Sequence, residues 1–155
     1  VVWTLFASEL RNLSVDLGDN QKAVDRVISG LERMAAGGRF RNVHEAAADV
    51  ENINKSVDKL ALDRALQATR YAAEAAANFN VRERHGVYSA GRLAVRTLDR
   101  VKTSEVYRMT AEEYAAGTSM TVVTESKVPE TQYDVVTRQR DTFLRLLREA
   151  PTAVA

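Results

Sequence analysis

Trp3, Phe6, Leu10, Leu13 and Leu17 recur three and four positions apart, which puts them on one face of an amphipathic helix that Gly18 is predicted to close. Asp19 or Asn20 can cap a second helix, whose stripe of Val24, Val27, Leu31 and Met34 stops at Gly37-Gly38. Two such helices joined by a tight turn form an antiparallel αα-hairpin. Arg39-Phe40-Arg41 reads as a connector, and Asn42 with Glu45 as a capping-box variant opening a long helical region. Val43, Ala47, Val50, Ile53, Val57 and Leu60 carry an apolar stripe through that region, and the polar cluster Asn52, Asn54 and Ser56 predicts a kink or break in it. Residues 61–77 are rich in alanine, with Leu62, Leu66, Ala73 and Ala76 as expected inner positions, and Asn78-Phe79-Asn80 ends the run.

A further helical pattern runs from Val87 to Arg108. Arg92, Arg96 and Arg100 form a stripe along it, with Ala90, Ala94, Leu98 and Val101 expected on the opposite, buried side. Thr110 with Glu113 resembles another capping box, starting a short helix that Gly117 ends. Thr121, Val122, Val123 and Thr124 are β-branched, so residues 118–128 are expected to be an extended arm, no partner strand being evident. Pro129 suits a helix start, and Val136, Phe143 and Leu147 define a final amphipathic helix before Pro151. The predicted fold is all-α: an up-down four-helix-type bundle over residues 1–117. An extended C-terminal arm and terminal helix follow over 118–155, within the same domain or serving assembly.

At 155 residues the chain is long enough for one domain with a real core. Its net charge is only +1, but the charge is segregated. Residues 82–108 hold seven basic side chains against three acidic ones, whereas residues 42–63 hold five acids against Lys55 and Lys59. Such segregation suits head-to-tail contact between copies, or a basic site on a solubilising surface. Arginine outnumbers lysine 17 to 5, a bias that favours phosphate and ion-pair recognition, although a high-GC genome produces it too. The absence of cysteine excludes disulfides and thiolate zinc sites and fits a reducing compartment. The apolar opening Val1–Phe6 is too short for a membrane span and lacks a signal peptide's charged flank. A start at Val1 implies processing or numbering from an ordered part.

Catalysis has little support. His44 and His85 stand far apart in charged, turn-like contexts. Asp16-Leu17-Gly18-Asp19-Asn20 lacks the donors of a calcium loop, and Gly86 to Gly91 lacks the Lys-Ser or Lys-Thr pair of a phosphate loop. Glu112-Glu113 is accounted for by a helix start. No enzyme activity, cofactor, metal or small-molecule substrate is expected. The arginines carry the remaining signal. If the helices bearing Arg64 and Arg70 and bearing Arg92, Arg96 and Arg100 pack antiparallel, both sets converge on one groove. Salt bridges to Asp63, Glu74, Asp99 and Glu105 on a solvated face are the alternative. With few aromatics and no helix-turn-helix or zinc finger, any nucleic-acid binding would go through the backbone, independent of sequence.

The order of these features resembles that of coat proteins of rod-shaped helical plant viruses, the tobacco-mosaic type and its tobravirus and hordeivirus relatives. Trp3 opens a leucine-rich helix through Glu9-Leu10-Arg11-Asn12-Leu13, then come Leu17-Gly18-Asp19-Asn20-Gln21 and a second helix, and Arg39-Phe40 ends the hairpin. Ala68-Thr69-Arg70 followed by Glu74 is similar to the family's segment with an RNA-contacting arginine. Ala94-Val95-Arg96 with Leu98 is similar to its last long helix, and Tyr107-Arg108 and Glu113-Tyr114 to its closing positions. The resemblance covers roughly residues 3–117, through short and degenerate motifs. The chain departs from the pattern at Tyr71 and Ala72, where the family has a second arginine. It also has Glu113-Tyr114 in reversed order, and residues 118–155 exceed the tobacco-mosaic type. The resemblance implies a four-helix bundle stacked into a helical tube. Arg70, with Arg64 and the stripe Arg92, Arg96 and Arg100, would neutralise RNA, and Glu74 would be an assembly carboxylate that favours disassembly when ionised.

The expected function is therefore a self-assembling coat protein of a virion, assembled in the host cytoplasm, whose partners are further copies of itself and single-stranded RNA, with no membrane. The alternative is a phage or bacterial helical adaptor that binds protein partners without nucleic acid.

Overall fold

The structure, a computed structural model, describes residues 1–79 and 84–151, and the side chains of all of these except 84–90. The described residues are helical and contain no strand. Helices α1 (Val2–Arg11), α2 (Gln21–Ala35), α3 (Val43–Asn54), α4 (Leu60–Phe79) and α5 (Arg84–Ala115) are followed by a helical turn α6 (Met120–Val122). A π-helical segment (Val123–Lys127) then leads into α7 (Val128–Glu149). Among the described residues six helices pack against one another, two more than a four-helix bundle has, because the α3–α4 region does break and the C-terminal segment docks onto the others.

The first helix is shorter than its apolar spacing predicts. Its stripe continues to Leu17, which is buried, but the backbone leaves the helix after Arg11. The Ser14 N–H instead donates to Glu105 at 2.9 Å, and beyond it Asp16 Oδ1 accepts the Gly18 N–H at 3.0 Å while Gly18 takes φ +54°. Helix α2 ends as expected at Gly37-Gly38. Gly37, at φ +86°, donates to Met34 O and Gly38 donates to Arg33 O at 2.8 Å, a Schellman motif. The capping box foreseen at Asn42 does not form: Asn42 lies in the left-handed region and its side chain caps nothing. The second one, at Thr110, does not form either. Helix α5 runs straight through this position, and the Thr110 hydroxyl donates to the Val106 carbonyl at 2.8 Å.

The α4–α5 pair makes the most extensive helix–helix contact among the described residues. Ala65, Ala68, Ala72, Ala73, Ala75 and Ala76 are all buried, and side chains this small let the backbones approach closely. Ser104 Oγ donates to Ala61 O at 2.7 Å, and Arg100 Nε to Gln67 Oε1 at 2.8 Å, pairings that run antiparallel. Trp3 stands edge-on to Phe6 and to Phe79, at 5.9 and 5.2 Å between ring centroids, and so fixes the start of α1 on the end of α4.

Residues 118–128 are not an extended arm. Ser119 caps a helix by accepting the Val122 N–H, and the helical path continues to Glu149. β-branched residues lower helix propensity only slightly, whereas burying Val123 to 1 % exposure favours the helical docking. The π-helical turn lies just before Pro129, where the missing N–H and the bulk of the ring disturb the regular ladder. Helix α7 lies on α5 and α1, anchored at Glu9, which is wholly buried. Arg138 grips both carboxylate oxygens at 3.2 and 2.9 Å. Gln139 Nε2 reaches the same carboxylate at 3.1 Å and the Leu98 carbonyl at 3.0 Å.

Candidate nucleic-acid interface

The antiparallel packing of α4 and α5 puts Arg70, Arg96 and Arg100 around one aromatic ring. Their guanidinium carbons lie 4.8, 5.8 and 5.8 Å from the Tyr71 centroid. Each distance is within cation–π range, so the ring attracts all three cations. Arg64 takes the same relation to Tyr107, at 5.6 Å. Arg92 lies further along α5, where it lines a cavity of about 240 Å³ with Asn78, Leu93 and Arg96.

Carboxylates face most of these cations. Arg64 pairs with Asp63, Arg70 Nε lies 3.6 Å from Glu74, and Arg100 donates to Asp99 at 2.6 Å. Glu74 is held above the ordinary glutamate range. Burial raises it most, Arg70 pulls it down, Glu51 raises it and Arg96 lowers it. A carboxylate that already bears a desolvation cost beside a like charge is a weak partner for Arg70, whose Nε is buried with no hydrogen bond.

The arginine stripe is placed differently from the sequence expectation. The buried side of α5 includes Leu93, Thr97 and Val101, each one position on from Arg92, Arg96 and Arg100, and continues to Ser104, while Ala94 and Leu98 are only half-buried. The arginines therefore flank the α4–α5 seam and do not point away from it. Thr97 and Ser104 conceal this in the sequence. Both are polar, yet Thr97 Oγ1 donates to Leu93 O at 2.8 Å and Ser104 to Ala61 O, so each is buried at no loss of hydrogen bonding. Ala90 and His85 fall outside the described side chains. His44 is exposed at the start of α3.

Tyr71 and Gln67 belong to this site and sequence reasoning missed them. The signal was present: Tyr71 is the one aromatic residue inside an alanine run, four positions from Gln67 and next to Arg70.

Among the described residues, no group of three or more His, Cys, Asp or Glu side chains could hold a metal ion, and no helix is long and apolar enough to cross a membrane. Comparison with known protein families, characterised proteins and solved structures finds no match for this chain.

Proposed function

We propose that this chain is a self-assembling virion coat protein that packages single-stranded RNA along the α4–α5 face. The observation that supports the reading best is the gathering of Arg70, Arg96 and Arg100 on Tyr71, flanked by Arg64 and Arg92. Arg70, Arg96 and Arg100 outnumber Glu74 and Asp99, the carboxylates that face them. A phosphate backbone supplies the missing negative charge without any reading of bases. Copies stacked into a helical polymer would align these faces along one strand, with Glu74 as a carboxylate whose ionisation works against assembly. In this reading the protein resides in the virion and assembles in the host cytoplasm.

The double charge reversal R70E/R96E tests it. Purified parent protein should form filaments in negative-stain electron microscopy, with the 260 to 280 nm absorbance ratio of a nucleoprotein. The variant should lose the nucleic-acid absorbance. RNA retained in the variant rules the arginine assignment out.

One observation favours a second reading, a helical adaptor that binds proteins alone. Arg64, Arg70 and Arg100 each have a carboxylate of this chain beside them. Discrete particles free of nucleic acid would favour it.

A further inference from the structure

The α2–α3 connector, read from the sequence as a plain link, gathers three cations of its own. Arg33, Arg39 and Arg41 line one surface cavity of about 530 Å³ together with Ala36 and Gly38. From Glu32 to Glu45 the sequence has no intervening acid, and both bounding carboxylates are engaged elsewhere. Glu32 accepts from Arg11 at 2.7 Å, and Glu45 lies 3.5 Å from Arg26, which also holds Asp49 at 2.9 Å. Arg33, Arg39 and Arg41 make no ion pair or side-chain hydrogen bond with any described residue, in contrast to the α4–α5 arginines.

Capping the end of α2 does not explain them. The carbonyls of Glu32, Arg33 and Met34 already accept the backbone N–H groups of Ala36, Gly38 and Gly37. The connector is also fixed in place. Phe40 is buried against Gly30, where a Cβ would come within 2.5 Å of its ring, and Gly38 sits so close to α2 that a Cβ would be 3.1 Å from Arg33 O. With Phe40 turned inward, Arg39 and Arg41 on either side of it are exposed.

We infer that this cavity is a phosphate-binding site, separate from the α4–α5 face. Three arginines lining one space repel one another until an anion joins them. A phosphate group, with more acceptor oxygens than a carboxylate has, matches three forks better. The phosphate can come from a nucleic-acid backbone or from a free polyphosphate.

Two probes separate these sources: inorganic tripolyphosphate by titration calorimetry, and a fluorescein-labelled oligouridylate by anisotropy between about 50 and 200 mM salt. The protein is first freed of nucleic acid, so the result does not depend on filament formation, and either proposal can fail alone. For each probe that binds, the triple variant R33Q/R39Q/R41Q should weaken binding at least tenfold. For the oligonucleotide it should also lower the salt slope by about 2, at ~0.7 per phosphate contact. The variant should keep the parent circular dichroism, and Arg145→Gln, an exposed cation elsewhere, should leave binding unchanged. Tripolyphosphate binding alone assigns a free ligand, and oligonucleotide binding alone assigns the backbone. Failure of both probes, or binding that the triple variant does not weaken, overturns the site.

Discussion

Glu74 shows how one side chain can work against the fold that holds it. Because burial raises its pKa, with Glu51 adding to the shift against Arg70 and Arg96, the folded state binds its proton more tightly than the unfolded chain does. The sign follows by linkage: above the ordinary glutamate range the ionised group costs stability, and that cost fades as pH falls through the raised value. Glu74→Gln should therefore raise the melting temperature at pH 7. Melting curves taken across the acid range should converge with those of the parent once pH drops below the ordinary carboxyl range. A variant that melts lower than the parent at pH 7 would show the ion pair with Arg70 outweighing the burial.

At the scale of elements, the contact between α2 and its connector depends on the absence of one methyl group. Gly30 lies inside a helix, where alanine would be favoured by ~1 kcal/mol on propensity. Its missing side chain is the space that the Phe40 ring fills. Gly30→Ala should lower stability by up to ~2 kcal/mol in urea titration, an overpacking cost of ~1–3 kcal/mol less the ~1 kcal/mol propensity gain. The sequence does not show this, because Gly30 and Phe40 are related by packing and not by spacing. Much else was legible. The stripes of α2 and α3, the glycine stops at Gly37 and Gly117 and the break near Asn54 all follow from local rules; the antiparallel meeting of α4 with α5, which the sequence leaves open, does not. The failures share a cause. Residues 118–128, the end of α1 and the buried side of α5 are decided by neighbours distant in sequence: Val123 by its burial, Ser14 by a bond from its N–H to Glu105, Ser104 by Ala61. The candidate site divides the same way. The arginines were visible as a periodic row, but Tyr71 acquired its role only once two helices had been laid side by side.

For the whole molecule, the docking of α7 combines the buried Val135 with one buried charge. Glu9 is fully enclosed, and Arg138, whose pKa its hydrogen bonds to Glu9 raise still further, reaches it from the rim of the contact. Removing one partner of such a pair leaves the other buried and uncompensated. Arg138→Ala should cost ~3 kcal/mol, at the low end for a buried pair because the arginine is partly solvated. Hydrogen exchange should then show lost protection concentrated in residues 128–149. Even protection loss across all six helices would mean that α7 is not a separable layer.

The same clasp joins residues 129 positions apart, and a closure of that span is entropically the most expensive kind of contact to form early. Refolding should therefore cross its barrier with α2 to α5 assembled and α7 still loose. Arg138→Ala would then hasten unfolding and leave the folding arm of the chevron almost unmoved. In kinetic terms the Glu9–Arg138 pair is a latch: it contributes little to how fast the bundle is reached and much to how long it lasts.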